Sequence, residues 1–142
     1  MYNPYHFNFS TRSWDVSDLV KHLPVLPLTW DITTSSRFIE SLLIRMPPDR
    51  VWVGRVGGGY ELIDGRGRLA VLQNYLNDVF HLEGLEYLID LEGLRFSQLQ
   101  RNWQRRLEET SLEVVIIDSG TPTAIRESLA ARVRTRPGAS LP

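Results

Sequence analysis

Tyr60-Glu61-Leu62-Ile63-Asp64-Gly65-Arg66-Gly67-Arg68-Leu69-Ala70-Val71-Leu72 is the stretch on which the reading of this chain turns. Tyr60 to Ile63 alternates and carries a β-branched residue like the end of a strand, Asp64 to Gly67 has turn chemistry, and from Arg68 apolar residues recur at helical spacing. The stretch predicts strand, tight turn, helix. Such a turn leaves backbone N–H groups without partners at the helix start, where the helix dipole adds partial positive charge. Gly65 and Gly67 admit close approach to the backbone, and Arg66 and Arg68 bring fixed positive charge, so phosphate is the natural guest. The competing reading is an ordinary Asp-Gly turn leading into a helix whose two arginines are solvated.

Working outward, Val51-Trp52-Val53 and Val56 read as a preceding strand, and Gly57-Gly58-Gly59 turns it back into Tyr60 to form a β-hairpin. The triple glycine lies between two strands and has no following Lys-Ser or Lys-Thr, which argues against a Walker-type loop. Before the hairpin, Phe38, Ile39, Leu42 and Leu43 form the stripe of a helix capped by Ser35 or Ser36, with Arg37, Glu40 and Ser41 off the stripe and Pro47-Pro48 ending it. A shorter helix through Val16, Leu19, Val20 and Leu23 is capped by Ser13 or Asp15 and stopped by Pro24. Residues 1–12 show no defensible period and are expected to form an arm.

Downstream, Leu69, Leu72, Leu76 and Phe80 predict that the central helix runs to about Phe80. Leu82-Glu83-Gly84-Leu85 is echoed by Leu91-Glu92-Gly93-Leu94, and a pair of short strands is expected there, with Glu83, Glu86 and Asp90 on a solvated edge. A helix from Ser97 through Leu99, Trp103 and Leu107 carries Arg101, Arg105 and Arg106 on its other side, next to Glu108 and Glu109. Leu112 to Ile117 has the near-continuous apolar run of an interior strand, and Thr121-Pro122 opens a last helix through Ile125, Leu129 and Val133. The C-terminal stretch is locally basic, with Arg126, Arg132, Arg134 and Arg136, and residues 135–142 are expected as a flexible tail.

The chain of 142 residues suits one domain, with 42% hydrophobic residues and a formal charge of −1 that gives no global attraction to nucleic acid or anionic membrane. Lys21 is the only lysine, so recognition of anions falls to arginine. Without cysteine, disulfides, thiol catalysis and cysteine metal sites are excluded, and His6, His22 and His81 lack metal-ligand spacing, so no metal site is expected from protein ligands alone. No apolar stretch is long enough to span a bilayer and no signal-like N-terminus is present, which makes the cytoplasm the expected location. Hairpin, central helix and later strong strand together predict an α+β fold, a small mixed sheet packed with several helices.

These pieces in this order resemble the ParB/sulfiredoxin-like superfamily, specifically the branch of bacterial phage-restriction proteins with an Asp-Gly-Gln-Gln-Arg signature, which includes GmrSD-type and SspE-type N-terminal domains. Four stretches carry the likeness: Trp30-Asp31 with Ser36 to Leu43, Tyr60 to Leu69, Leu82 to Leu88 with Leu107 to Thr110 and the following strand, and Arg132 to Leu141. The resemblance implies a nucleotide-phosphate site at Asp64, Gly65, Arg66, Gly67 and Arg68 and binding, often hydrolysis, of nucleoside triphosphates that license a separate nuclease domain. Asp64, Gly65 and Arg68 match the motif. Arg66 and Gly67 stand where the family has glutamines, Val25 and Leu26 stand where it has Gln-Arg, and Arg134 stands where it has asparagine. Loss of the amides puts positioned hydrolysis in doubt, so whether the chain is an enzyme stays open.

Two functions follow as expectations. The first is a nucleotide-sensing regulatory domain of phage defence, taking a nucleoside triphosphate with Mg²⁺ at Asp64 to Arg68, with Arg37 and Glu40 as second contributors. The alternative is a catalytically degenerate adaptor that binds a partner nuclease subunit or DNA, with Arg132, Arg134 and Arg136 as contacts. A homo-oligomer is compatible with either, and an independent enzyme built on Glu83, Glu86 and Asp90 ranks last.

Overall fold

The strand expected at 112–117 lies at the heart of the sheet. The computed structural model describes residues 8–134. Within them the elements run β1 (Phe9–Asp15), α1 (Val16–His22), α2 (Ile32–Leu43), β2 (Val51–Val56), β3 (Gly59–Asp64), α3 (Arg66–Leu76), short 3₁₀ turns at Ile89–Leu91 and Phe96–Gln98, α4 (Arg101–Glu108), β4 (Ser111–Ile117) and α5 (Thr123–Arg134). The fold is α+β, with one mixed four-stranded sheet in the order β1-β4-β2-β3. β4 pairs antiparallel with β1 and parallel with β2, and β3 closes the hairpin on the far edge.

Alternation along β4 sends side chains to two unequal faces. Leu112, Val114 and Ile116 join Val51 and Val53 of β2 in the main core, which α1 to α4 cover with Leu19, Phe38, Ile39, Leu43, Leu72 and Leu107 among others. Val115 and Ile117 point the other way, with Ile63 of β3, in a smaller cluster that Trp52, Leu129 and Ala130 pack against. α5 is the cover on that side.

Several expectations shift. Residues 9–12, expected within an arm, belong to β1: they pair with Val114 to Ile117, because β4 offers a full row of backbone groups on that side. Residues 1–7 lie outside the described residues, as does the tail at 135–142. Asp15 does cap α1, accepting from the Asp18 N–H at 2.7 Å. The cap of α2 is Asp31, which accepts from the Thr34 N–H at 2.7 Å, while Ser35 and Ser36 are buried within the helix. An earlier carboxylate has displaced the two serines as the first available cap.

The central helix ends at Leu76, four residues early, where Asn77 takes the cap and Asp78 turns into the left-handed region at φ 61°. The two Leu-Glu-Gly-Leu copies do bond to each other, Leu82 N–H to Leu94 O at 3.0 Å and Gly93 N–H to Leu82 O at 2.7 Å. They form no strands. Gly84 and Gly93 each adopt positive φ, 76° and 83°, so each copy bends where a strand would have to stay extended. The helix expected from Ser97 is split into the turn at Phe96–Gln98 and α4, which starts after Gln100. The hairpin, β4 and the last helix stand where they were expected, with Gly57 and Gly58 as the two-residue loop between Val56 and Gly59.

Candidate functional site

Strand, tight turn and helix follow one another as expected, but the helix begins at Arg66 rather than Arg68, so Arg66 and Gly67 belong to its first turn. Gly65 is the N-cap of α3 with φ 112°, a conformation that glycine takes without strain, and as a glycine it offers no side-chain cap of its own. The first helical bond is Leu69 N–H to Gly65 O at 2.9 Å, so the amides of Arg66, Gly67 and Arg68 precede the helical ladder. Trp30 lies directly over Gly67: a Cβ built there would overlap its indole ring. Glycine at 67 is therefore required by the indole above it, which sequence reading alone did not single out.

The two arginines of the turn part company. Arg66 is exposed at the first helical position. Arg68 is buried and folds back beneath the turn, donating to Asp49 O at 2.7 Å and pairing with Asp64 at 3.6 Å. It thereby ties the end of β3 to the segment that leads into β2. Asp64 is likewise enclosed, with its side chain 10% exposed. Of the charged side chains expected to face a phosphate, Arg66 alone extends into solvent from this turn.

Arg37 and Glu40 serve a different neighbour. Arg37 donates to Gly84 O at 3.0 Å and pairs with Glu86 at 3.3 Å on the surface. Glu40, 3% exposed, accepts from the backbone N–H groups of Glu86, Tyr87 and Leu88 at 3.1, 2.7 and 2.7 Å. A buried carboxylate needs such partners, and three amides of one loop supply them. Ser36 and Glu92 secure the same loop, Ser36 Oγ accepting from Glu83 N–H and the Glu92 carboxylate from Gly84 and Leu85 N–H. The bonds from Leu85 and Gly84 hold the Glu92 carboxyl below its ordinary value. Glu83, Glu86 and Asp90 are exposed.

No family model, curated protein or solved structure matches the chain. Among the described residues no cluster of three or more His, Asp or Glu is placed to hold a metal ion, and no helix is long and apolar enough to cross a membrane.

Two further polar groups on α3 escaped the sequence reading. Gln73 Oε1 accepts from Leu26 N–H at 2.9 Å while its Nε2 donates to Pro24 O at 2.8 Å, and Asn74 Nδ2 donates to Leu26 O at 3.0 Å. Both are buried and hold the Pro-rich segment that leads to Trp30. The signal was available: adjacent amide side chains inside an otherwise apolar helix need buried partners. Of the basic C-terminal group, Arg126 is also buried, Arg132 is exposed, Arg134 is the last residue of α5, and Arg136 lies outside the described residues.

Proposed function

We propose that the chain is a non-hydrolysing regulatory domain that binds a phosphate-bearing ligand, a nucleotide with Mg²⁺ in the first instance, at the start of α3. The observation that carries this reading is a helix start whose N-cap is Gly65 in the left-handed conformation, with the exposed Arg66 at the first helical position. Helix amides, dipole and guanidinium together favour a phosphate group there. Hydrolysis is left out because Gly67 has no side chain to orient water, and Asp64 and Arg68 are engaged with each other.

A second reading has its own support. Arg68, Asp64, Glu40 and Arg37 all make contacts that hold the fold, as expected of a degenerate member of the resembled family that acts as an adaptor for a nuclease subunit or DNA. The two readings separate on one measurement. In a thermal-shift panel of nucleoside tri- and diphosphates with and without Mg²⁺, the first expects a selective rise in melting temperature that Arg66→Ala abolishes while the unliganded protein stays as stable. A flat panel would leave the adaptor. Arg68→Ala is the wrong probe, because it removes the brace beneath the turn and lowers stability whether or not a ligand binds there.

A further inference from the structure

β2 and β4 run parallel, and the register that pairs Gly54 with Ile117 brings Arg55 beside Asp118 one residue further on. The Asp118 N–H donates to Asn8 O at 2.9 Å, so the ladder between β1 and β4 continues past Phe9 and Ile117. Alternation then sends Asn8, Ser10, Ile116 and Asp118 to one face, that of the main core. With Phe9 and Arg55 these four line a cavity of about 220 Å³ at the end of the sheet. From the opposite face a single atom, Arg126 Nη2, donates to Arg55 O at 2.8 Å and to Asp118 O at 2.7 Å, which fixes the spacing of the two backbones.

Arg55 passes over the carboxylate in the neighbouring strand. Its guanidinium lies on the ring of Tyr60 in β3, 5.4 Å from the centroid, and Nη1 donates to the Tyr60 hydroxyl at 3.4 Å. It thus leans toward β3, away from β4, and among the described residues neither Arg55 nor Asp118 enters an ion pair. The cavity has guanidinium donors on one side and carboxylate acceptors on the other. A lone anion would meet Asp118 and a lone cation Arg55, so the guest that suits both is uncharged, with paired acceptors on one edge and paired donors on the next. Of the nucleobases guanine alone has that pattern: O6 and N7 accept from a bidentate arginine, and N1–H and the exocyclic amine donate to a carboxylate. We propose that this cavity binds a guanine base, with O6 and N7 toward Arg55 and N1–H and the amine toward Asp118. The site is separate from the phosphate turn: Tyr60 pairs with Arg55 and Asp64 with Trp52, at opposite ends of the hairpin.

The test is calorimetry of the intact chain with guanosine, inosine, 7-deazaguanosine, adenosine, cytidine and uridine, none of which carries a phosphate. Guanosine is expected to bind, inosine and 7-deazaguanosine about tenfold more weakly through loss of the amine or of N7, and the other three not at all. Asp118→Asn, at an exposed carboxylate, should keep the unliganded melting temperature and weaken guanosine by about tenfold or more, and Arg55→Gln should weaken it likewise. Arg66→Ala should leave guanosine binding unchanged, so failure here and failure of the phosphate turn are told apart. Single-stranded oligonucleotides with one guanine distinguish the source: tighter binding than guanosine assigns the base to a strand, and equal or weaker binding assigns it to a free nucleoside or nucleotide. Equal binding of adenosine or inosine, binding of free amino acids in place of guanosine, binding unaffected by both Asp118→Asn and Arg55→Gln, or no binding at all would overturn the assignment.

Discussion

The two faces of the sheet are built differently. On one, α1 to α4 bury a continuous apolar core, and the buried polar groups beneath them, Glu40, Gln73, Asn74 and Arg68, bond to the backbone of loops and hold those loops in place. On the other, α5 rests on the smaller cluster of Ile63, Val115 and Ile117 with Trp52, and the chief polar contact on that side is Arg126 laid across Gly54. A Cβ built on Gly54 would overlap the Arg126 guanidinium, so glycine there is what lets the arginine reach Asp118 and Arg55. The difference teaches where rigidity and where adaptability reside. The proposed phosphate turn stands on the thickly packed side, and a cavity lined in part by Glu61, Arg126 and Glu127 lies under the thin cover.

Adjacent residues of β4 put this asymmetry to the largest test. Ile116 is 1% exposed in the main core and Ile117 is 0% exposed on the α5 side. Ile116→Ala should cost about 4 kcal/mol, since four helices cannot close the gap, and Ile117→Ala about 2 kcal/mol, since one helix can settle onto the sheet. Urea unfolding of the two variants measures both. Equal losses would mean that the two faces, though unequal in cover, are equally well packed.

Glu40 tests the polar half of the thick side. Glu40→Ala leaves the amides of Glu86, Tyr87 and Leu88 without their acceptor and should destabilise by about 2–3 kcal/mol. Glu40→Gln keeps one acceptor oxygen and should cost less. A surface salt-bridge role would predict under about 1 kcal/mol for either change, and would also be weakened by salt.

On the thin side, Arg126→Met keeps the length of the stem and removes the guanidinium. The expected cost is about 1–2 kcal/mol, from loss of the Glu61 pair and of two carbonyl bonds on the edge of a solvent-reached cavity. Hydrogen exchange should quicken in α5 and β3 and stay unchanged in α2 and α3. Uniform quickening would show that the two faces unfold as one cooperative unit.

The sequence made the apolar half of this comparison legible and little of the polar half. The run Leu112 to Ile117, the Gly-Gly hairpin and the stripe Phe38, Ile39, Leu42, Leu43 declared themselves because burial imposes a period that composition records. β1 did not, because Phe9 to Ser13 are exposed and only pairing with β4 makes them a strand. At the candidate site the Asp64-Gly65 turn was legible from local chemistry, whereas the inward course of Arg68 was not: its partners, Asp49 and Arg50, lie nearly twenty positions upstream. Arg37 and Glu40 were placed on the polar side of α2 by periodicity alone, which could not foresee a loop at 84–88 folding over that side.

The smallest effect concerns acid. Asp31, Asp78 and Glu92 are each held below the ordinary carboxylate range, chiefly by backbone N–H donors from Thr34, Ser97 and Leu85 respectively. A carboxylate with a lowered folded-state pKa contributes its stability in full above the unfolded value and loses it as pH falls through the folded one. All three donors belong to the start of α2 or to the loops at 78–97, and none to α5. Between about pH 5 and pH 2 the urea midpoint should therefore fall modestly, with amide signals of the 78–97 loops disturbed first. Glu92→Gln should reduce the acid dependence without abolishing it, since Asp31 and Asp78 remain. If α5 signals move before those loops do, the thin face is limited by its own electrostatics, and the Glu61–Arg126 pair becomes the group to vary next.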